Sequence, residues 1–198
     1  MISTHQLKST KAGEGQIAAA KEVTTMSANQ QHDEQANVGY KTRYQELPAF
    51  ELIGFTKCVK SGGELYDEVR SDGRWETLKT IAGDDKTIFG VASYDEQCPK
   101  ESYRYTLGVK AKTEFLEKPH DDLFSIHIKQ AGWLIFTLES FIKQYGQFWG
   151  DSPYRLIEKL GWSFDSAVGL HIDAFAASYT SDHDGMEFMM PVTRTTKE

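Results

Sequence analysis

The chain has 198 residues, of which 39% are hydrophobic and 12% aromatic, and its formal net charge is -7. This length permits one sizeable core or two small fused units. The negative charge argues against nucleic acid as a direct partner, because such binding depends on Lys and Arg at the phosphates.

Further classes of protein are disfavoured by what the sequence lacks. Its apolar stretches fall well short of the roughly 20 residues of a membrane helix, and no secretory signal pattern is present. Cys58 and Cys98 are the only cysteines, and their spacing does not suggest a metal site. We therefore expect reduced thiols, a cytoplasmic location, no membrane partner, no metal and no cofactor.

The first 39 residues differ in composition from the remainder. They contain no aromatic residue, and such a segment buries too little apolar surface to offset the entropy of ordering. We predict a disordered or non-functional tail over residues 1–39 and a single domain over residues 40–198.

Residues 40–110 form the first predicted repeat. Alternating residues predict strands over 41–47 and 50–59, and Pro48 separates them. Apolar residues then recur at helical spacing from Leu65 to Ile81, with an interruption at 71–73 that predicts a two-piece helix. Two further strands are predicted over 87–94 and 103–109.

A charged linker over residues 111–122 precedes a second repeat over residues 123–193. Strands are predicted over 124–129 and 133–138, and a helical region broken near 150–153 follows them. The last two strands are predicted over 168–175 and 185–192. The order strand, strand, helix, strand, strand therefore occurs twice, which predicts two related units that meet at a pseudo-twofold seam where pockets are favoured.

Four stretches in this order resemble the gyrase-inhibitor-like superfamily of small-molecule-binding domains, which includes effector-binding domains of AraC-type and MerR-type multidrug-sensing regulators. The stretches are Tyr44–Phe50 with Ile53-Gly54, Arg104–Val109, Phe124–Trp133 and Glu187–Val192. The plan is especially similar to single-domain members encoded by integron cassettes, and nothing in the chain corresponds to a helix-turn-helix unit.

The resemblance implies an α+β fold in which two βαβββ-like units form a concave antiparallel sheet with flanking helices and a central ligand cleft. In drug-sensing members a glutamate on the last strand supplies negative charge, and Glu187 matches that position. A buried carboxylate must find a cation or become protonated. We therefore expect Glu187 to lie in the cleft and to receive positive charge from a ligand, with Met189 on the same face of the strand.

Aromatic side chains are expected to wall the cleft and stack on an organic cation. Their predicted positions on helices and strands give six candidates: Trp75, Trp149, Tyr154, Tyr66, Tyr105 and Phe136. His171 and Asp173 share one face of a predicted strand. They form either a second acidic element of the cavity, an acid–base pair, or a solvent-exposed polar face.

The resulting hypothesis is a protein that binds aromatic or amphiphilic organic cations. One alternative is a small-molecule hydrolase that uses Glu187 as acid or base, and another is a protein that interacts with a regulator or topoisomerase. Enzyme motifs such as G-x-S-x-G and a phosphate-binding glycine loop are absent from the sequence. A homodimer or a protein partner remains open.

Overall fold

The computed structural model describes residues 38–110, 112, 115 and 122–195. The predicted tail and linker therefore lie almost entirely outside the described residues. Within the described part of the chain, no helix is long and apolar enough to cross a membrane.

Nine strands and four helices make up the described residues. The first half contains β1 (Lys41–Leu47), β2 (Phe50–Val59), α1 (Gly62–Ser71), α2 (Arg74–Ile81), β3 (Ile88–Ser93) and β4 (Tyr103–Val109). The second half contains β5 (Phe124–Ile128), β6 (Ala131–Leu138), α3 (Phe141–Gly150), α4 (Pro153–Lys159), β7 (Trp162–Phe164), β8 (Leu170–Phe175) and β9 (Met186–Arg194). The duplicated order and the α+β class are confirmed, with β7 as an additional short strand.

Local sequence explains where the helices begin and end. The Ser61 side chain accepts a hydrogen bond from the Gly63 amide, and Glu64 completes a capping box at the start of α1. Gly73 has φ 88° between α1 and α2, a left-handed conformation that glycine adopts without steric cost. Pro153 occupies the first turn of α4, where a missing amide hydrogen is tolerated.

The strands form one antiparallel sheet in the order β1-β6-β9-β8-β3-β4-β2-β5, and β7 pairs with β9 outside this path. Only Pro48 and Ala49 connect β1 to β2, and only Lys129 and Gln130 connect β5 to β6. Such short connections cannot span a flat sheet of this width. The sheet therefore curls until its two edges approach each other.

The sheet order is symmetric about its central pair, β8 and β3. The sequence β8-β9-β6-β1 on one side corresponds to β3-β4-β2-β5 on the other. The first strand of each repeat is exchanged, because β1 pairs with β6 and β5 pairs with β2. This exchange joins the halves into one sheet.

Each face of the sheet carries its own apolar cluster. The helices pack on one face with residues that include Leu65, Leu78, Phe148 and Phe188. The concave face that results from the curling holds a second cluster with Leu52, Trp133, Ile172 and Met189. The helix-covered face is the one that forms the candidate site.

A disulfide joins Cys58 on β2 to Cys98 in the connection between β3 and β4. The prediction of reduced thiols is therefore wrong. The sequence-based expectation considered spacing along the chain, whereas the β2–β4 pairing brings these two residues together, with Cys58 opposite Arg104.

Candidate functional site

A cavity of about 460 Å³ lies on the helix-covered face, over the centre of the sheet. Its floor comes from β3, β4 and β8, and its walls come from the start of α1, from α3 and α4, and from β7. This volume is within the range of small-molecule pockets, roughly 300 to 1,000 Å³.

Asp173 on β8 is the carboxylate of this cavity. It lines the pocket and is only 3% exposed. The Tyr105 hydroxyl donates to Asp173 Oδ2 at 2.7 Å, and the Tyr145 hydroxyl lies 3.3 Å from both carboxylate oxygens. Among the described residues, no cationic side chain forms an ion pair with Asp173. Two tyrosines therefore solvate the carboxylate without neutralising it.

Burial raises the pKa of Asp173 from its ordinary 3.8 to about 7, and the two tyrosine hydrogen bonds oppose that rise. Burial also raises the pKa of Tyr105 and of Tyr145. Both hydroxyls therefore keep their protons near neutral pH and act as donors. Near pH 7, a positive charge in the cavity would favour the ionised carboxylate.

Aromatic rings form a large part of the cavity wall. The Tyr145 and Trp149 ring centroids are 6.3 Å apart on α3, and those of Tyr154 and Phe164 are 5.3 Å apart on α4 and β7. Seven aromatic side chains line the cavity in all: Tyr94, Tyr103, Tyr105, Tyr145, Trp149, Tyr154 and Phe164. Such walls favour flat apolar bodies and cations.

His171 lies beside Asp173 in the cavity and packs edge-on against Trp149, with ring centroids 5.3 Å apart. Burial lowers its pKa from 6.5 to about 4, so the imidazole is neutral at physiological pH. His171 and Asp173 form no direct hydrogen bond in the described part of the chain. The acid–base pair, one of the three alternatives considered for these residues, is therefore not assembled.

The structure brings half of the predicted site residues together around this cavity: Tyr105, Trp149, Tyr154, His171 and Asp173. Their shared feature is a position on the helix-covered face or on the helices above it. Predicted residues outside the cavity have other roles, which their contacts explain.

Tyr66 and Trp75 contact the guanidinium group of Arg70 instead of the cavity. The Arg70 guanidinium carbon lies 5.5 Å from the Tyr66 ring centroid and 5.1 Å from that of Trp75. Phe136 is fully buried in the core beneath the helices, and Met189 belongs to the concave cluster. The structure therefore places all four away from the cavity.

Glu187 lies on the opposite face from Asp173, because its partner in the β8–β9 pairing is Ala174, whereas Asp173 pairs with Phe188. Its side chain is 35% exposed and forms a bidentate ion pair with Arg43 of β1, with Nη2 to Oε2 at 2.7 Å. The expectation of a buried carboxylate without an internal partner is wrong for Glu187. The structure therefore does not support the prediction that Glu187 supplies the negative charge for a ligand.

Sequence reasoning did not select Lys60, Tyr103, Tyr145 or Phe164 as site residues. Tyr145 was one of several aromatic residues at helical spacing on α3, and only its contact with Asp173 distinguishes it. The polar pair His171 and Asp173, on a strand with apolar residues on its other face, was the sequence signal closest to the actual site. No cluster of three or more metal-binding side chains occurs in the described segments.

Several solved protein structures have the same fold as this chain. SAV2435 bound to tetraphenylphosphonium matches with a TM-score of 0.59 and 13% identity over 77% of this chain and 94% of its own. A putative transcription regulation protein from Staphylococcus aureus MU50 matches with a TM-score of 0.56 and 14% identity over 77% of this chain and 98% of its own. The EcmrR C-terminal domain matches with a TM-score of 0.58 and 9% identity over 79% of this chain and 99% of its own.

No family model matches the sequence, and no curated protein matches it. The likeness is therefore one of structure, which at these identities concerns the fold. The chain has the fold that its resemblance to the gyrase-inhibitor-like superfamily implied.

Proposed function

We propose that this protein binds aromatic organic cations in the Asp173 cavity. The observation that carries the proposal is a carboxylate only 3% exposed, which faces an aromatic-walled cavity and has no cationic partner among the described residues. An unpaired buried charge is costly, and a cationic ligand would lower that cost.

Two physical contributions would act together in such a complex. Each aromatic ring that contacts the cation contributes about 0.5 to 2 kcal/mol, and the ionised carboxylate adds an attraction that little water screens. Delocalised positive charge on a flat or bulky apolar body suits this combination. The tetraphenylphosphonium complex of SAV2435, which has the same fold, supports this choice of ligand class.

A calorimetric titration with tetraphenylphosphonium and with neutral triphenylphosphine oxide tests the proposal. We expect the cation to bind wild-type protein and Asp173→Asn to weaken that binding by about 1.5 to 3 kcal/mol, the scale of a lost charge-assisted contact. The neutral compound should bind both proteins alike.

Glu187→Gln is the matched control, because it also removes one carboxylate but on the opposite face and next to Arg43. Its affinity for the cation should equal that of the wild type. Equal weakening by the two substitutions would point to the overall charge of the protein and would reject the cavity as the site.

A hydrolase is the second candidate, and Asp173 rather than Glu187 is now its acid or base. A pKa of about 7 suits general acid–base catalysis near neutral pH. Turnover of activated esters by the wild type that is lost in Asp173→Asn would favour this candidate over binding alone.

The remaining expectations concern partners and location. Four expectations stay predictions. The protein is expected not to bind nucleic acid directly and to be cytoplasmic, and a regulator or topoisomerase partner and a homodimer remain open. The disulfide removes the cysteine argument for the cytoplasm, because disulfides are rare in reducing compartments.

A further inference from the structure

The cavity contains a second charged group in addition to Asp173. Among its lining residues Asp173 is the one acidic side chain and Lys60 is the basic one, since His171 is neutral near neutral pH. The two charges have opposite sign.

The two groups also lie at different depths. Asp173 is almost inaccessible on the floor of the cavity, whereas Lys60 is exposed on the rim, between the end of β2 and the start of α1. The backbone of Lys60 is held in place, because its amide donates to the Glu64 carboxylate at 3.2 Å. Position 60 is therefore fixed at the mouth.

No described residue neutralises the charge of Lys60. In the segments that the structure describes, no carboxylate forms an ion pair with its ammonium group, although the neighbouring Lys57 is paired with Glu68. Glu64, the nearest acidic residue in sequence, directs its carboxylate to the backbone amides of residues 60 and 61. The ammonium group is thus available to a ligand.

We propose that Lys60 is a specificity-determining residue that selects amphoteric ligands, in which a cationic aromatic body reaches Asp173 and an anionic group remains at the mouth. This inference rests on the proposed function. A second positive charge at the mouth would be repelled by Lys60, so dications are the disfavoured class. A carboxylate or another acidic group at that position would be attracted.

A matched pair of dyes isolates this contribution. Tetramethylrhodamine carries a xanthenium cation and a free carboxylate, and tetramethylrhodamine methyl ester has the same cation without the acidic group. Fluorescence anisotropy titrations give the ratio of their dissociation constants for each protein variant. Taking the ratio cancels changes in the shared interactions at Asp173 and the aromatic walls.

We expect wild-type protein to bind the carboxylate dye about two to five times more tightly than the ester, the range for a solvent-exposed ion pair. Lys60→Met should bring the ratio close to one, and Lys60→Glu should reverse it. The preference should also diminish as salt concentration rises. Lys143→Met is the control, since Lys143 is exposed on α3 without lining the cavity, and its ratio should equal that of the wild type.

The possible results separate this inference from the proposed function. If both dyes bind and their ratio is unchanged in Lys60→Met and Lys60→Glu, the role of Lys60 is rejected while the cation site stands. If neither dye binds any variant and tetraphenylphosphonium also fails to bind, the proposed function is rejected, and the role of Lys60 with it.

Discussion

Asp173 and Glu187 carry the same functional group in opposite physical situations. Glu187 is partly exposed and ion-paired with Arg43, so its charge is already compensated by the protein. Asp173 is buried, and its partners among the described residues are the hydroxyls of Tyr105 and Tyr145, so its negative charge is costly. Under the proposed function, a bound cation would compensate the charge that the two hydroxyls leave uncompensated.

This cost should be visible in the stability of the protein. The pKa of Asp173 is raised from 3.8 to about 7 in the folded state, so its protonated form favours folding. The stabilisation by protonated Asp173 is fully present below about pH 4 and is lost as pH rises through about 7. We expect the free energy of unfolding of Asp173→Asn to exceed that of the wild type by about 2 to 4 kcal/mol at pH 8. This difference should disappear near pH 4. Urea unfolding over this pH range measures the difference.

His171 changes the pH dependence of stability in the direction opposite to Asp173. The contribution of Asp173 is therefore measured as the difference between the variant and the wild type. The pKa of His171 is lowered to about 4, so its contribution is present above about pH 6.5 and is lost as pH falls towards 4. In the wild type the two slopes partly cancel. In Asp173→Asn the histidine slope remains, and a pH-independent difference between the two proteins would contradict the assigned pKa of Asp173.

Gly90 provides a test of the tyrosine that holds Asp173. A Cβ at this position would lie 2.0 Å from the Tyr105 hydroxyl oxygen. We therefore expect Gly90→Ala to displace that hydroxyl and to weaken cation binding by about 1 kcal/mol, the value of one hydrogen bond. Calorimetry with tetraphenylphosphonium measures the change.

Gly146→Ala on α3 is the control, because no described atom outside the helix's own neighbouring backbone lies within 4 Å of its added Cβ. Alanine favours the helix by about 0.5 to 1 kcal/mol, so this variant should be slightly more stable and should bind the cation normally. Normal binding by Gly90→Ala would show that Tyr105 does not support the site.

At the level of elements, local patterns predicted the strands and helices but not all their neighbours. Alternation placed β1 and β9 correctly, yet nothing near Glu187 in sequence indicates Arg43, which lies 144 residues away. The two meet because β1 crosses to β6, and that pairing depends on how the whole sheet closes. The same limit hid the contact between Tyr145 and Asp173. The burial of a polar strand face depends on what packs on it, which periodicity alone does not reveal.

The disulfide is an element-level constraint on the cavity. It fixes Cys98, which lies in the connection that follows Tyr94 and precedes Tyr103, and both tyrosines line the cavity. Its other half, Cys58, is two residues before Lys60. Reduction should therefore lower the free energy of unfolding by about 2 to 4 kcal/mol and weaken ligand binding about two- to tenfold, because the freed side chains must be ordered again.

Thermal unfolding and titration with and without dithiothreitol measure both effects. The Cys58→Ser, Cys98→Ser double variant should resemble the reduced protein and should not respond to the reductant. A wild type whose melting temperature and affinity are unchanged by complete reduction would show that the bond constrains neither the fold nor the cavity.

Across the whole molecule, the two repeats diverge at equivalent positions. Ser61 and Ser140 are the N-cap residues of α1 and α3, and a tyrosine follows each cap at the same interval, namely Tyr66 and Tyr145. Tyr66 donates to Asp182 and Tyr145 donates to Asp173.

The next equivalent pair on these helices differs in charge. In the first repeat the position is Arg70, whose guanidinium packs on Tyr66 and Trp75. In the second repeat it is Trp149, which lines the open cavity. The first half thus holds an arginine among aromatic rings, whereas the aromatic residue at the equivalent position of the second half lines a cavity.

An open cavity over an uncharged or half-charged Asp173 couples ligand binding to protons. Of the titratable groups near Asp173 in the cavity, Tyr103, Tyr105 and Tyr145 stay protonated, because burial raises their pKa, and His171 stays neutral, so Asp173 is the group that titrates near pH 7. A cation binds the ionised form, whose population rises about tenfold between pH 6 and pH 8 for a pKa of about 7.

We therefore expect the affinity for tetraphenylphosphonium to rise about tenfold over that interval and each binding event at pH 7 to release about half a proton. Calorimetry in phosphate and in Tris, whose ionisation enthalpies differ, measures the released protons, and Asp173→Asn should release none. A pH-independent affinity in the wild type would mean that Asp173 does not change its protonation when the cation binds, which would contradict the proposed coupling.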